Sequence, residues 1–174
     1  MKSEAVFPNI GKVKLPFQTP AVGLNKEQCP IVRENGYGFP QFIFCMEGEG
    51  VLETEGKTFE IQEGGIFFLP EGREHRYHGK GRWVTSWIHL AGDGVKQALE
   101  CLGLVDAVVL NGVDSSRCER ILRQILTELK TDRLHGMERS SSHLYELIME
   151  FYMLQNDQMQ PQSKGMQRLL PLLD

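Results

Sequence analysis

Residues 64–89 read GGIFFLPEGREHRYHGKGRWVTSWIH, and this stretch decides how the whole chain is interpreted. Two runs, IFFLP and RWVTSWIHL, are rich in β-branched and aromatic side chains and flank a Pro-Glu-Gly turn, which predicts two strands. Three histidines, His75, His78 and His89, accompany them. The stretch therefore raises three possibilities: a metal site, a reaction centre or the wall of a pocket.

The residues before this stretch also predict short strands. The run QFIFCM, residues 41–46, is apolar, and Leu52, Thr54, Phe59 and Ile61 alternate with polar residues around a turn at residues 55–56. A period of two on both sides of a glycine turn is typical of a hairpin. Many short strands with regular turns favour a β-sandwich or small barrel.

The hydrophobic period changes to a helical one after Gly92. Residues 95–102 predict a short helix, and a longer one follows, with Ser116 and Glu119 as its capping box and Asp114 adding negative charge. Its apolar stripe consists of Cys118, Ile121, Leu122, Ile125, Leu126 and Leu129. Gly136 then ends the next stretch, and a second amphipathic helix is predicted at about residues 140–154, so the two should pack as an antiparallel pair.

Size and charge limit the function. The chain has 174 residues and a formal net charge of −4, which predicts one ordinary domain, with or without an appendage, and disfavours nucleic-acid contact by this chain itself. No run is apolar enough to span a membrane or to act as a secretory signal. The four cysteines form no CxxC pair, so we expect reduced thiols and a cytoplasmic location.

The spacing of Gly64, Pro70, Gly72 and His75 resembles the second motif of the cupin superfamily, whose members are small double-stranded β-helix barrels. In metal-binding cupins that histidine is one of four ligands. The resemblance places the other three slots at residues 34 or 35, at Gly36 or Tyr37, and at Gln41. None of these is a histidine or, beyond Glu34, an acid.

Only one of the four cupin ligand slots is therefore filled by its usual residue, whereas a zinc or iron site needs at least three protein donors. We expect no metal and no cofactor. His75 is interpreted as a satisfied corner residue, His78 as a solvent-exposed turn residue, and His89 as a structural residue that bonds backbone near the helices. The sequence also has no nucleophile elbow, phosphate-binding loop or dinucleotide motif, so we predict no catalytic residue and a binding module as the default.

Taken in order, several landmarks resemble the N-terminal sensor domain of AraC/XylS-type transcription regulators. They are Arg33 in IVRENG, the GEG hairpin, PEGREH, the strand RWVTSWIHLAG and the two amphipathic helices. The resemblance implies a mainly β fold with an α appendage: a metal-free, cupin-like double-stranded β-helix barrel that binds a small molecule, followed by an antiparallel helix pair used for homodimerisation. In that family, DNA is bound by a C-terminal pair of helix-turn-helix units.

The resemblance divides the chain into four segments: an N-terminal arm at 1–14, the ligand-binding barrel at 15–92, a helical dimerisation region at 93–155, and at 156–174 a linker with the start of a helix-turn-helix domain. We expect that DNA-binding domain to be missing from this chain, because the apolar period of MQRLLPLLD stops at the C-terminus.

The family's sugar site, carried over by motif, implies six ligand-binding residues here. Trp87 would be the stacking platform, Arg33 the charged donor, and Tyr77 a hydroxyl or an aromatic wall. The remaining three, on the same grounds, are Asn25, Tyr37 and Thr85. From the residues alone, Trp87 could equally fill the core.

Three functions stay open at this point. The first is a sensor of a small metabolite, most readily a carbohydrate, that acts as a homodimer through surplus apolar surface at Leu122, Leu126 and Leu129. The second is a metal-dependent cupin enzyme, an isomerase or dioxygenase. The third is a dimerisation module whose barrel is filled.

Overall fold

The computed structural model describes residues 2–10 and 14–160, which form two antiparallel sheets and three helices. The strands are β1 Glu4–Val6, β2 Val22–Glu27, β3 Ile31–Arg33, β4 Gln41–Glu47, β5 Gly50–Thr54, β6 Lys57–Ile61, β7 Ile66–Leu69, β8 His75–Gly79, β9 Val84–His89 and β10 Val108–Leu110. The helices are α1 Asp93–Cys101, α2 Ser116–Thr131 and α3 Gly136–Met159. The order of strands is β1-β2-β9-β4-β7-β10 in one sheet and β3-β8-β5-β6 in the other.

The six-stranded sheet is buried on both faces, which explains why β4 and β7 carry runs of consecutive apolar residues instead of an alternating pattern. Phe42 and Phe44 of β4 pack with the helices, whereas Ile43 and Cys45 of the same strand face the second sheet. The residues of β7 divide in the same way between the two apolar clusters. The predicted cupin-like barrel with a helical appendage is confirmed.

Trp83 fills one end of the space between the two sheets. Its side chain is fully buried, and its indole N–H donates to Sγ of Cys45 at 3.0 Å. Gly50 and Gly79 give the ring its room, because a Cβ atom at either position would lie 2.6 or 2.7 Å from the tryptophan. Trp83 is thus a core residue, although it lies on the same strand face as Trp87.

The predicted hairpin is confirmed as β5 and β6, joined by residues Glu55 and Gly56. Both turn residues have positive φ, 48° and 74° respectively. Two successive residues in the left-handed region match the twist of the flanking strands, and glycine accepts that conformation without steric cost. The hairpin register is thereby fixed locally.

The helix pair is antiparallel, as predicted, but its ends differ from the prediction. Arg117 near the start of α2 forms ion pairs with Glu146 and Glu150 in the second half of α3. The N-cap of α2 is Ser115, whose hydroxyl donates to Glu119 at 2.8 Å, so the predicted capping box of Ser116 and Glu119 is wrong. The backbone N–H of Ser116, the first residue of the helix, instead donates a hydrogen bond to the carboxylate of Asp114 at 3.1 Å.

Gly136 begins α3 instead of ending the preceding stretch. A Cβ atom there would lie 2.3 Å from the carbonyl oxygen of Glu128, so only glycine allows the two helices to meet this closely at their connection. The helix then continues to Met159, beyond the predicted end at residue 154.

The prediction that Leu122, Leu126 and Leu129 offer surplus surface to a second chain is corrected by the structure. Leu122 and Leu126 are buried in the core of their own chain, and Leu129 is partly buried against it. The apolar stripe of α2 is buried within the chain because the helix contacts β1 and β2 as well as α3. A helix held on two sides leaves little of its apolar face for another molecule.

The six-stranded sheet also takes strands from outside the predicted barrel segment 15–92. β1 comes from the arm and pairs with β2, while β10 comes from the helical segment and pairs with β7. The predicted linker and start of a further domain at 156–174 lie, from residue 161 onward, outside the described residues. None of the helices in the described ranges combines the length and apolarity that a membrane span requires.

We expect Gly50→Ala to lower the free energy of unfolding by about 1–3 kcal/mol, because the added methyl group overpacks the tryptophan ring beside it. Gly81→Ala is the matched control, since a Cβ atom at Gly81 meets nothing within 4 Å. Urea denaturation of both variants measures the difference. Equal stabilities would show that Trp83 does not depend on the space that Gly50 leaves.

Candidate ligand-binding site

A cavity of about 210 Å³ lies inside the barrel. Residues from β3, β4, β8, β9 and the connections next to β3 form its wall. The lining side chains are Gln28, Ile31, Arg33, Tyr37, Gln41, His75, Tyr77, Trp87 and His89. Four of the six predicted site residues, Arg33, Tyr37, Tyr77 and Trp87, are therefore brought together here.

Arg33 brings the positive charge of the cavity. Its guanidinium carbon lies 5.2 Å from the centre of the Tyr37 ring, within range of a cation–π interaction. The Tyr37 hydroxyl in turn lies 3.4 Å from Nδ1 of His89. No carboxylate belongs to the lining within the described part of the chain, so the cavity favours neutral or anionic groups over cations.

Trp87 lies flat across a glycine of the neighbouring strand. Gly23 is its register partner on β2, and a Cβ atom there would come within 2.7 Å of the indole. His89 stacks on the same indole with ring centres 4.9 Å apart, and Phe7 from the arm lies 6.2 Å away. The half-buried Trp87 therefore has a defined orientation at the cavity wall, and is not simply core filling.

Tyr77 and His75 stand side by side on β8, with their rings nearly parallel and 6.0 Å apart. Burial raises the pKa of Tyr77 to about 12, so its hydroxyl keeps its proton at physiological pH. Burial also lowers the pKa of His75 below its ordinary value of 6.5, and the charge of Arg33 acts in the same direction. Both side chains are thus uncharged polar groups.

His89 is a neutral imidazole for the same reasons. Burial, followed by the charge of Arg33, lowers its pKa to about 4. The prediction that His89 bonds backbone near the helices is wrong, because its ring contacts Tyr37, Phe39 and Trp87 at the cavity. The predicted exposure of His78 is confirmed.

Asn25 and Thr85, the other two predicted site residues, lie outside the cavity lining. Asn25 has a positive φ of 52° at a bulge in β2, and its amide donates to the carbonyl of Lys2 in the arm at 3.0 Å. Thr85 is fully buried, and its hydroxyl donates to the side-chain oxygen of Gln28 at 2.8 Å. Thr85 thus orients a lining residue from behind.

Five lining residues were not among the predicted site residues: Gln28, Ile31, Gln41, His75 and His89. A signal for two of them was present in the sequence. Gln41 and His75 occupy slots of the cupin motifs, together with Tyr37, and those slots point into the barrel whether or not they carry metal ligands.

A second, outer groove of about 350 Å³ shares part of its lining with the cavity. Arg33 and His75 line both spaces. The rest of the groove is formed mainly by polar residues of β5, β6 and the turn between them. These two residues therefore border both the cavity and the groove.

The lining does not fit a cupin metal centre. Nδ1 of His75 is already directed at the carbonyl of Arg73, at 2.9 Å. Of the other three cupin slots, two bring Tyr37 and Gln41 to the lining, and the residues of the third slot, 34 and 35, do not belong to it. The guanidinium of Arg33 would also repel a cation bound beside it. Across residues 2–10 and 14–160, no group of three or more His, Cys, Asp or Glu side chains is placed to hold an ion.

The family model described as the AraC-like ligand binding domain matches residues 31–148, which include β3 to β9 and most of the helical region. The chain belongs to this family. It therefore contains an AraC-like ligand-binding domain. The match covers eight of the nine lining residues, from Ile31 onward.

Among curated relatives, the lactose operon transcription activator of Staphylococcus xylosus is 27% identical over 119 residues, which is 63% of this chain. The chain spans only 43% of the length of that relative. Two structures of ToxT from Vibrio cholerae share the fold. Apo ToxT aligns with a TM-score of 0.52 and 10% identity over 92% of this chain and 61% of that chain.

The second ToxT structure holds (E)-4-(8-methylnaphthalen-1-yl)but-3-enoic acid. It aligns with a TM-score of 0.51 and 13% identity, over 82% of this chain and 56% of that chain. At these identities the likeness establishes the shared fold of this domain.

We expect the free energy of unfolding to fall as the pH is lowered from about 6.5 to about 4. In that window the unfolded chain binds a proton at His89 that the folded chain excludes, so acidification favours unfolding. Chemical denaturation at several pH values measures the slope. His89→Gln should reduce the slope relative to wild type, and an unchanged slope would contradict the low pKa of His89.

Proposed function

We propose that the chain senses a small carbohydrate, or a similar neutral or weakly acidic metabolite, for a transcription regulator. The observation that carries this proposal is the convergence of Arg33, Tyr77 and Trp87 on one cavity inside the barrel. An indole face offers apolar contact to a sugar ring, while the guanidinium and the phenol offer directional donors.

Two further observations support a carbohydrate. The cavity volume of about 210 Å³ is suited to a ligand of about one sugar ring, with the outer groove available to a substituent. The curated relative is named as an activator of a lactose operon. The ligand in one ToxT structure is an aromatic acid. A weakly acidic effector is therefore a second form of this proposal, and the positive charge of Arg33 is compatible with it.

The alternative function, a metal-dependent cupin isomerase or dioxygenase, is less well supported by the lining. Such an enzyme needs several deprotonated or neutral donors that converge on one ion, whereas here an arginine stands next to the histidines. We therefore propose a binding domain without catalytic activity. The filled-barrel alternative is disfavoured by the cavity itself.

The arm offers a route from the cavity to the helices. Phe7 contacts the indole of Trp87. Glu4, the first residue of β1, forms an ion pair with Lys130 of α2. We infer that a ligand which changes the position of Trp87 alters the arm and, through it, the helical region. Occupancy would thus be coupled to a surface far from the cavity.

The sensor is proposed to act as a cytoplasmic homodimer and to reach DNA through a separate C-terminal domain. Since the leucines of α2 are buried, the surface available for dimerisation lies on α3. Tyr145 and Met153 are 47% and 44% exposed, and Met149 lies between them at helical spacing. This face of α3 is the proposed interface.

We expect Arg33→Gln to weaken binding of the best-bound sugar about tenfold or more, because a hydrogen bond to a charged group contributes roughly 1.5–3 kcal/mol. Arg82→Gln removes a surface arginine that pairs with Glu47 and should bind the sugar like wild type. Isothermal titration with D-galactose, L-arabinose, lactose and D-galacturonate measures the affinities. If wild type shows no saturable binding to any of them, the proposed carbohydrate function is wrong.

For the dimer, we expect Met153→Lys to shift the chain from dimer to monomer in sedimentation equilibrium, since a charge on a buried interface is strongly disfavoured. Met159→Lys is the control, because Met159 is 73% exposed at the end of the same helix. A Met153→Lys variant that stays dimeric would exclude this face of α3 as the interface.

A further inference from the structure

One polar atom of the cavity wall has no partner within the described residues: Nε2 of His75. The residue is only 4% exposed, and His75 lines the cavity. Burying a polar atom without a hydrogen bond is unfavourable, so such an atom calls for a ligand group or another explanation.

The hydrogen bond on the other side of the ring defines what Nε2 can do. Nδ1 of His75 lies 2.9 Å from the carbonyl oxygen of Arg73, and a carbonyl can only accept. Nδ1 therefore carries the proton. Since burial and the neighbouring Arg33 keep the imidazole neutral, Nε2 is left as a lone-pair acceptor.

The donors nearest to His75 are directed elsewhere. Thr54, its register partner on β5, donates its hydroxyl to the carbonyl of Glu74 at 2.7 Å. Arg33, its partner on β3, places its guanidinium over the ring of Tyr37. The pairing of β3 with β8 thus brings an acceptor without a partner and a cationic donor to the wall of one cavity.

Resting on the proposed function, we propose that Nε2 of His75 accepts a hydrogen bond from a hydroxyl group of the effector, and that His75 together with Arg33 selects hydroxylated ligands over carboxylates. A hydroxyl can donate to His75 and accept from Arg33 at the same time. A carboxylate can satisfy Arg33, but it presents only lone pairs to Nε2.

Two substitutions separate this role from a structural one. In His75→Asn, the side-chain amide can still donate to the Arg73 carbonyl, but the acceptor at the position of Nε2 is lost. In His75→Gln, the longer side chain can place an oxygen near the position of Nε2, but the bond to Arg73 is lost. A purely structural histidine would therefore tolerate Asn better, and a ligand-binding one would tolerate Gln better.

The experiment is isothermal titration of wild type and both variants with the tightest neutral sugar among D-galactose, L-arabinose and lactose. We expect His75→Asn to bind this sugar about five- to tenfold more weakly than wild type, because one hydrogen bond is lost. The affinity of His75→Gln should lie within about twofold of that of wild type. Thermal unfolding without sugar should rank the variants in the opposite order.

If His75→Asn binds like wild type, or if His75→Gln is weakened as much as His75→Asn, the role of His75 is overturned while the sensor function stands. If wild type binds none of the sugars, both proposals fail.

Single-deoxy analogues of the same sugar test the inference on wild type alone, should a variant not fold. One analogue should lose the same five- to tenfold in affinity. Uniform affinity across all analogues would overturn the inference.

Discussion

The burial of the six-stranded sheet on both faces is the constraint on which the rest of the structure depends. Successive apolar side chains of β4 and β7 point alternately toward the helices and toward the second sheet. Neither face can be left in water without exposing a row of phenylalanines and isoleucines. The helices must therefore cover one face, and the barrel interior, including the cavity, must form on the other.

Sequence reasoning captured the parts of the fold in which a local period is long enough to be recognised. The hairpin at Glu55 and Gly56 and the stripes of α2 and α3 belong to this group. The three-residue strand β10 carries too short a pattern, and the role of Gly136 depends on the Glu128 carbonyl from the preceding helix. A stripe also shows only that a helix buries one face, and not which partner covers it.

The distinction between local sequence patterns and tertiary contacts also applies to the residues of the cavity. Arg33, Tyr77 and Trp87 lie on strands whose alternation fixes their direction, and all three line one cavity. Asn25 lies within a bulge of β2, where the register shifts, and its amide bonds the arm. The cupin motif predicts Gln41 only as a metal-ligand slot, and His75 is predicted to be a satisfied corner residue. The second prediction is wrong, because Nε2 of His75 has no partner among the described residues. The barrel geometry behind that motif applies equally to ligands of other kinds.

The contrasting environments of the two tryptophans give the chain an optical reporter of its own. Trp83 is sealed in the core against Cys45, whereas Trp87 is half-buried between a cavity residue and the exposed Phe7. Emission from Trp83 should thus form a constant background, and changes in fluorescence should report on Trp87. Events at the cavity can be followed in real time on the unlabelled protein.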